Sequence, residues 1–206
     1  MDNNIQLYGA SGHAKVVIDI LNRNNQIIDT ILDDNPQTTA ITGFIVTNTK
    51  NFDFNFLKNT IISIGNNKIR KILASKLNTN FSTAFHPEAI ISKNVSIGEG
   101  TVVMAGVVIN PDVTIGNHCI INSSAILEHD CIIENFVHIS PGVAIAGGVT
   151  VGEGSHVGIN ATIIQNIKIG KWVTIGAGAV VLKNIPDFAV AVGNPAKIIK
   201  YNSINE

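Results

Sequence analysis

Four side chains with chemical potential stand next to one another at positions 128–131, where the sequence reads Glu-His-Asp-Cys. Imidazole, thiolate and carboxylate together could bind a metal ion. Cys131 could be a nucleophile with His129 as its base, or His129 could act alone as a general base. The same residues could also form a polar turn without chemistry. Which of these holds depends on the elements that position them.

The second half of the chain is organised by a repeat of six residues. Starting at Ile91, every sixth residue is Ile, Val or Leu for sixteen consecutive positions, a run far beyond chance. The series is Ile91, Ile97, Val103, Ile109, Ile115, Ile121, Leu127, Ile133, Ile139, Ile145, Val151, Val157, Ile163, Ile169, Ile175 and Val181.

A second pattern accompanies each aliphatic position. Four residues later comes a small or apolar residue, and the position just before it is mostly Gly, Asn or Asp, the types that tolerate tight turns and positive φ. The repeat predicts a parallel β-helix in which each unit is a short strand plus a turn. It resembles the left-handed, hexapeptide-repeat β-helix of many acyltransferases, in which three units form one triangular coil and residues 18 apart stack.

The register of the repeat predicts which residues of the Glu-His-Asp-Cys segment point into the β-helix and which lie in the turn. Cys131 occupies the inward small-residue position, as does Cys119, and a buried thiol away from positive charge is inert. His129 falls two positions after Leu127, in the turn, so it should project from a corner of the β-helix. One coil later, roughly 4.8 Å away, it should meet Gly147.

A zinc site is the alternative that the histidines raise, because some left-handed β-helix proteins are zinc carbonic anhydrases. His138 and His156 are 18 apart and should stack. Zinc would need a third histidine at a suitable spacing, and His118 occupies a different repeat position. We therefore expect no metal.

Residues 1–85 lack the six-residue period and alternate between predicted strands and helices. We expect strands over Ile5–Tyr8, Gln26–Leu32, Phe44–Thr47 and Thr60–Ile64, and helices over Lys15–Asn22 and Lys68–Leu77. This alternation predicts a small parallel α/β domain of Rossmann type, followed by a β-helix domain with a C-terminal tail over 86–206.

The first turn of the α/β domain suggests a nucleotide or phosphate site. Ser11, Gly12 and His13 lie at the start of the first helix, where backbone N–H groups can receive an anion. Asp33 and Asp34 end the second strand and could hold a sugar hydroxyl or a base. Equally, the glycines could only permit a tight turn and the aspartates only end a strand.

The composition narrows the class of partner. The chain has 206 residues, 14% of them charged, and a net charge of −1, so no basic face for nucleic acid or an anionic membrane is implied. No apolar run could span a bilayer and the start lacks a signal-peptide pattern. Two cysteines do not make a disulfide framework, so we expect a cytoplasmic protein.

Several motifs together resemble one family. They are YGASGHAKVVIDIL at 8–21, LDD at 32–34, ISIGNN at 62–67, the segment 123–163 around EHDC and FVHISPG, and VGNPAKII at 192–199. The chain is identified as a member of the sugar O-acyltransferase, sialic-acid-O-acetyltransferase-like family. It is most similar to the branch that acetylates nucleotide-linked 4-amino-4,6-dideoxy sugars, of the UDP-N-acetylbacillosamine type.

The resemblance implies a role for each matching residue. His129 would be the general base and Asp130 would orient or tune its imidazole. His138, a backbone N–H of Gly147 and the backbone of Ile159 would contact acetyl-CoA, and Ala177 stands where the family has a further cofactor-contacting glycine. The nucleotide-sugar contacts would be Ser11, Gly12, His13, Asp33 and Asp34.

The resemblance implies direct acetyl transfer from acetyl-CoA to the 4-amino group of a nucleotide-linked, UDP-type sugar, and a homotrimer with active sites between subunits. Two alternatives remain. One is an O-acetyltransferase acting on sialic acid or a related sugar, since nothing in the sequence separates an amine from a hydroxyl acceptor. The other is a non-enzymatic binding solenoid, which would need neither a nucleotide-type domain nor a His-Asp turn.

Overall fold

The computed structural model describes residues 4–202. The N-terminal part of the chain is an α/β domain. Its elements are β1 (Ile5–Tyr8), α1 (Gly12–Arg23), β2 (Ile28–Asp33), β3 (Ala40–Ile41), β4 (Phe44–Asn48), β5 (Thr60–Ile62) and α2 (Asn67–Lys76), with short 3-10 helices at Thr49–Asn51 and Phe54–Phe56. The sheet order is β3-β4-β2-β1-β5, and all pairs are parallel except β3 with β4. The predicted parallel α/β domain is confirmed; the antiparallel edge strand β3 was not predicted.

Helix α1 begins three residues earlier than the sequence suggested. Ser11 has an extended backbone (φ −108°, ψ −164°) and marks the helix boundary, so Gly12 and His13 belong to the first turn of α1. The free N–H groups of that turn therefore lie at the carboxyl end of β1.

The rest of the chain winds into a β-helix with three faces. We call the first the docking face; it contains β6 (Ala84–Phe85), β9 (Val102–Val103), β12 (Ile120–Ile121), β15 (His138–Ile139), β18 (His156–Val157), β21 (Thr174–Ile175) and β23 (Ala189–Val192). The second face contains β7 (Ile90–Ile91), β10 (Val108–Ile109), β13 (Ile126–Leu127), β16 (Ala144–Ile145), β19 (Thr162–Ile163) and β22 (Val180–Val181). The third contains β8 (Ser96–Ile97), β11 (Thr114–Ile115), β14 (Ile132–Ile133), β17 (Thr150–Val151) and β20 (Lys168–Ile169).

Strand pairing follows the predicted register of 18 residues. Leu127, for example, pairs with Ile109 on one side and with Ile145 on the other, and both pairs are parallel. The sixteen two-residue strands from β7 to β22 thus make a little over five coils. The parallel β-helix is confirmed; its left-handed sense remains an implication of the family resemblance.

The aliphatic ladder forms the interior of the β-helix. From Val103 to Val181 each of its members is no more than 2% exposed. Burying one such side chain contributes roughly 1.5–3 kcal/mol to the free energy of unfolding, so the ladder stabilises the β-helix without help from charged residues.

The corners of the β-helix repeat as strictly as its strands. Every sixth residue from Gly100 to Gly178 has positive φ, including non-glycine residues such as His118, Phe136 and Trp172. The sequence predicted this for Gly, Asn and Asp. The bulky residues adopt the same conformation because the strands on either side leave each corner only one backbone path.

The α/β domain packs on the outer side of the docking face. Ala14, Val17 and Ile18 of α1 share one buried apolar cluster with Val102 and Ile120 of the β-helix. The two domains are therefore joined by a continuous core.

An antiparallel hairpin closes the described chain. Strand β23 pairs with β24 (Lys197–Tyr201), and β23 also extends the docking face through its parallel pairing with β21. The sequence predicted only a C-terminal tail here. Within residues 4–202, neither helix has the length and apolar character needed to cross a membrane.

Candidate active site

His129 projects from the corner between the second and third faces. Its neighbours Leu127 and Cys131 both point inward and are fully buried, so the intervening turn must carry its side chains outward. The His129 side chain is 64% exposed. The sequence predicted this placement from the repeat register.

Asp130 fixes the imidazole of His129. The carboxylate atom Oδ2 lies 2.7 Å from Nδ1, so with the Nδ1–H donating to Asp130 the other ring nitrogen, Nε2, is left free to accept a proton. The hydrogen bond to Asp130 is the main reason that the pKa of His129 is raised, and the charge of Glu128 adds to it. Asp130 has φ +61°, so it is also the turn residue of this corner.

Gly147 lies directly beneath the imidazole. A β-carbon built at position 147 would stand 2.6 Å from Cε1 and 2.7 Å from Nε2 of His129, which only a glycine avoids. Within the described chain the Gly147 N–H makes no hydrogen bond, while the Gly147 carbonyl accepts from the Asn166 N–H. A proton acceptor and a free backbone donor therefore flank the same space.

Neither cysteine can supply a nucleophile. Cys131 and Cys119 are both fully buried free thiols. Their Sγ atoms donate to backbone carbonyls, at 3.2 Å to Ala146 and 3.0 Å to Glu134. Burial raises the pKa of both thiols, that of Cys119 to about 12, so neither forms a thiolate at neutral pH.

The turn predicted to bind the nucleotide, residues 9–13, lies between β1 and α1 of the α/β domain; we call it the nucleotide turn. It packs against the residues that directly follow β5. Gly9 has φ +112°, and a β-carbon there would stand 2.5 Å from Cγ1 of Ile64. The Ser63 hydroxyl donates to the Gly9 carbonyl at 2.6 Å. Ser11 and Gly12 are exposed at the start of α1, and no atom lies within 4 Å of a β-carbon built on Gly12.

The two predicted acidic residues both hold this end of the sheet together. Asp33 accepts a hydrogen bond from the Ala10 N–H at 2.9 Å and so ties the turn to β2. Asp34 accepts from the Tyr8 hydroxyl at 2.6 Å and from the Thr49 hydroxyl at 2.8 Å. Each aspartate thus has a structural role, and its role toward a ligand stays a prediction.

His13 points into the space between the two domains. Its Nε2 atom is buried and makes no hydrogen bond within residues 4–202. Burial, together with the nearby Arg70 guanidinium, lowers the pKa of His13 to about 4, so the ring is neutral at pH 7. Buried polar atoms usually have a hydrogen-bond partner, so the Nε2 atom of His13 is available to hydrogen-bond to a polar group of a ligand.

His138 and His156 stack on the outer side of the docking face, as predicted, with ring centroids 4.9 Å apart. The Asn122 side-chain amide lies 3.2 Å from His138 Nε2, and the Ser140 hydroxyl lies 2.8 Å from His156 Nε2. Burial chiefly lowers the pKa of His138 to about 3. His13 is close enough to affect the His138 pKa, so the nucleotide turn and this predicted cofactor residue come together.

Ile159 and Ala177 lie on successive coils at the corner between the docking face and the second face. The Gly178 N–H donates to the Ile159 carbonyl at 2.8 Å, whereas the N–H groups of Ile159 and Ala177 make no hydrogen bond within the described chain. Both could therefore bind a ligand through the backbone. Ala177 differs from a glycine by one methyl group, and its backbone N–H is equally available.

One chain does not bring all the predicted residues together. His129, Asp130 and Gly147 occupy the corner opposite the docking face, whereas Ser11, Gly12 and His13 lie with the domain that covers that face. The body of the β-helix separates the two groups. A site that uses both must take one group from a second copy.

Sequence reasoning missed Arg70 and Asn67, which join the domains at the edge of this site. Arg70 is 1% exposed, and nothing in its spacing or neighbours distinguishes it from the surface lysines of the same helix. Within residues 4–202 no group of three or more His, Cys, Asp or Glu has the geometry of a metal site.

The chain matches two family models. Residues 4–77 match the PglD N-terminal domain, and residues 94–129 and 148–183 match the bacterial transferase hexapeptide repeat. The UDP-N-acetylbacillosamine N-acetyltransferase of Bacillus subtilis (strain 168) is 43% identical over 115 residues. That match covers 50% of this chain and 51% of the relative, so the chain aligns with about half the length of that curated relative.

Two groups of solved structures match nearly end to end. A variant of the GDP-perosamine N-acetyl transferase from Caulobacter crescentus, in complex with CoA and GDP-perosamine, is 36% identical with a TM-score of 0.90, covering 96% of this chain and 97% of that one. The acetyltransferase domain of PglB from Neisseria gonorrhoeae, in complex with acetyl coenzyme A, is 32% identical with a TM-score of 0.88, covering 97% and 100%.

Proposed function

Because this chain belongs to the PglD-type hexapeptide acetyltransferases, we propose that it acetylates the 4-amino group of a nucleotide-linked 4-amino-4,6-dideoxy sugar, with acetyl-CoA as donor and a UDP-linked sugar as first candidate. The observation that carries the proposal is the corner formed by His129, Asp130 and Gly147. The two related enzymes support an amine acceptor, since both are N-acetyltransferases.

The chemistry follows from the two sides of that corner. The sugar amine attacks the thioester carbonyl carbon, the C–S bond breaks, and CoA leaves. His129 Nε2 accepts the proton that the amine loses, and the Gly147 N–H donates to the carbonyl oxygen as it becomes negative. Asp130 stabilises the imidazolium that forms, which then gives its proton to the departing CoA thiolate, and no covalent bond to the enzyme is needed.

Acetyl-CoA fits the backbone donors on this β-helix. Gly147, Ile159 and Ala177 each have an N–H group that is not used by the coil ladder. Gly147 lies at a different corner from Ile159 and Ala177. In the proposed trimer, one copy would therefore offer the Gly147 N–H to the thioester carbonyl and a neighbouring copy would offer the other two N–H groups to the amides of the pantetheine arm. The neutral His138 and His156 add a half-enclosed wall on the side of the α/β domain.

The active form is a homotrimer with its sites between subunits. His129 of one copy would face the nucleotide turn of its neighbour, which a single chain cannot arrange. Exposed apolar side chains on the outer side of the second face, Ile90 at 66% and Ile126 at 39%, suit a surface that packs on another copy. The two buried free thiols fit a reducing compartment, so we place the enzyme in the cytoplasm.

One panel tests the reaction. Purified protein is mixed with acetyl-CoA and with UDP-, GDP- or dTDP-linked 4-amino sugars, beside sialic acid, and release of the CoA thiol is followed. We expect release with a 4-amino sugar and none with sialic acid. Release with sialic acid but with none of the amino sugars would mean an O-acetyltransferase. If none of the acceptors led to release of CoA, the proposal would be contradicted.

A further inference from the structure

Arg70 is a fully buried cation that makes all of its contacts with neutral oxygen atoms. Its Nε donates to the His118 carbonyl at 2.7 Å and its Nη2 donates to the Phe136 carbonyl at 3.0 Å. Nη1 donates to the carbonyls of Ile64 and Gly65 at 2.9 and 3.2 Å, and Nη2 also donates to Asn67 Oδ1 at 2.8 Å. No carboxylate in residues 4–202 pairs with it.

These contacts join two separate parts of the molecule. His118 and Phe136 are corner residues of two successive coils of the β-helix, 18 residues apart. Ile64 and Gly65 form the turn between β5 and α2, at the edge of the α/β sheet. One side chain thus fixes the height and the distance of that turn relative to the β-helix.

The turn held by Arg70 supports the predicted nucleotide turn. Ile64 stands against Gly9, where it would clash with any β-carbon, and Ser63 donates to the Gly9 carbonyl. A shift of the Arg70 contacts would therefore move the nucleotide turn relative to the β-helix.

Asn67 completes the same connection one coil further on. Its Nδ2 donates to the carbonyls of Gly154 and Ser155, at 3.0 and 3.2 Å, while its Oδ1 accepts from Arg70. Arg70 and Asn67 together bond to three successive coils. We call this pair the domain clamp.

A buried charge without a counter-ion is a costly way to join two domains, because apolar packing would usually serve stability as well or better. What a guanidinium offers instead is five donors in a rigid plane, which specify position. The neighbouring Lys71 makes a different kind of contact. It also joins α2 to the β-helix, because it pairs with Glu153 and its Nζ lies 5.4 Å from the centroid of the Trp172 ring, but this contact is partly exposed and does not involve the turn at 64–65.

We propose that Arg70 is a positioning residue, which through the domain clamp holds the nucleotide turn at the height where the bound sugar amine meets the His129 corner of the neighbouring subunit. This inference rests on the proposed function. Because the two halves of the site come from different chains, the angle between the domains of each chain decides their alignment. A misplacement of about 1 Å can cost on the order of 10² in rate.

The test compares Arg70→Met, Arg70→Lys and Asn67→Ala with Lys71→Met as the matched control. Thermal unfolding and size-exclusion chromatography establish that each variant is folded and assembled. Steady-state kinetics then give kcat and both KM values, and calorimetry gives the Kd for acetyl-CoA in the absence of sugar.

We expect kcat/KM for the sugar to fall by about tenfold or more in Arg70→Met and Arg70→Lys, and less in Asn67→Ala. The Kd for acetyl-CoA and all constants of Lys71→Met should stay within about twofold of wild type. The Arg70→Lys variant retains the charge but not the planar donors. A fall in its kcat/KM for the sugar therefore shows that positioning, and not simple electrostatic attraction, is the role of Arg70.

Equal losses for both substrates, or wild-type kinetics in a folded Arg70 variant, would overturn the inference and leave the clamp as a stability device. If the Arg70 variants do not fold, Asn67→Ala decides, because its side chain is less buried. A wild-type enzyme that acetylates no sugar in the same assay would instead contradict the proposed function.

Discussion

The imidazole of His129 lies against the α-carbon of Gly147, one coil further along the same corner, so that a β-carbon at position 147 would stand 2.6 Å from Cε1. Gly147→Ala should therefore turn the ring away and break its bond to Asp130. Since Gly147 does not have positive φ, alanine fits its backbone. We expect kcat/KM to fall by on the order of 10² with little change in Tm. Pro111→Ala, on the same corner one coil earlier, is the control, and equal activity of the two variants would contradict the arrangement.

Removal of the base should abolish turnover while leaving the fold intact. His129→Ala removes an exposed side chain, so the free energy of unfolding should change by less than about 0.5 kcal/mol. Loss of a positioned base costs about 10²–10⁴ in rate. Release of CoA from acetyl-CoA in the presence of the sugar measures the rate, and circular dichroism measures the fold. A folded variant with wild-type turnover would exclude His129 as the base.

Asp130 should set the pH dependence of that base. The Asp130 hydrogen bond raises the pKa of His129, and the imidazole must be neutral to accept a proton. Asp130→Asn removes the charge but tolerates the positive φ of the corner. The pKa of His129 should then fall, so the acid limb of kcat/KM against pH moves to lower pH, with a lower plateau because the ring is less well oriented.

Glu128→Gln serves as the control for that pH shift. Glu128 raises the pKa of His129 through its charge alone, and it is the smallest of the contributions. Its removal should move the acid limb in the same direction but less than Asp130→Asn does. If the acid limb of kcat/KM against pH did not move in Asp130→Asn, Asp130 would have only the structural role of a turn residue.

The thiols should be dispensable. Cys131→Ala removes a buried Sγ that donates to the Ala146 carbonyl, so a loss of about 1 kcal/mol in stability is expected. Activity at 25 °C should remain within a few-fold of wild type. A loss comparable to that of His129→Ala would restore Cys131 as a nucleophile. Iodoacetamide should label neither cysteine in the native protein.

Complementation tests whether sites form between subunits. His129→Ala and His13→Ala should each be inactive alone, because each lacks one side of every site. When the two are unfolded, mixed and refolded together, a random trimer should recover about one quarter of the wild-type sites. The measurement is CoA release before and after mixing. No recovery would mean that one chain supplies both residues.

The six-residue repeat made contacts between distant residues predictable. The stacking of His129 on Gly147 and of His138 on His156 follows from counting 18 along the chain, since the aliphatic ladder permits no other register. The inward position of Cys131 follows in the same way. Local periodicity thus carries long-range information in a solenoid, where each coil contacts only its neighbours.

The contact between the two domains could not be predicted in this way. Arg70 bonds to main-chain carbonyls 48 and 66 residues further along, and a carbonyl leaves no trace in the amino-acid sequence. The sequence indicated that His138 stacks on His156, but not that the α/β domain lies beside this pair. The hairpin of β23 and β24 was missed because it lies beyond the repeat and forms by pairing with the last coil.

The constant period of the β-helix also limits how its length can change during evolution. Between Ile91 and Val181 a one-residue insertion would exchange interior and exterior along all that follows. Removal of one six-residue unit between His129 and Gly147 would preserve the interior, yet it would rotate Gly147 by a third of a turn to another corner. Only whole coils of 18 keep every residue on its own edge, and only coils added outside 129–147 keep His129 against Gly147. Duplication of whole coils elsewhere is therefore the route by which such an enzyme can lengthen and still work.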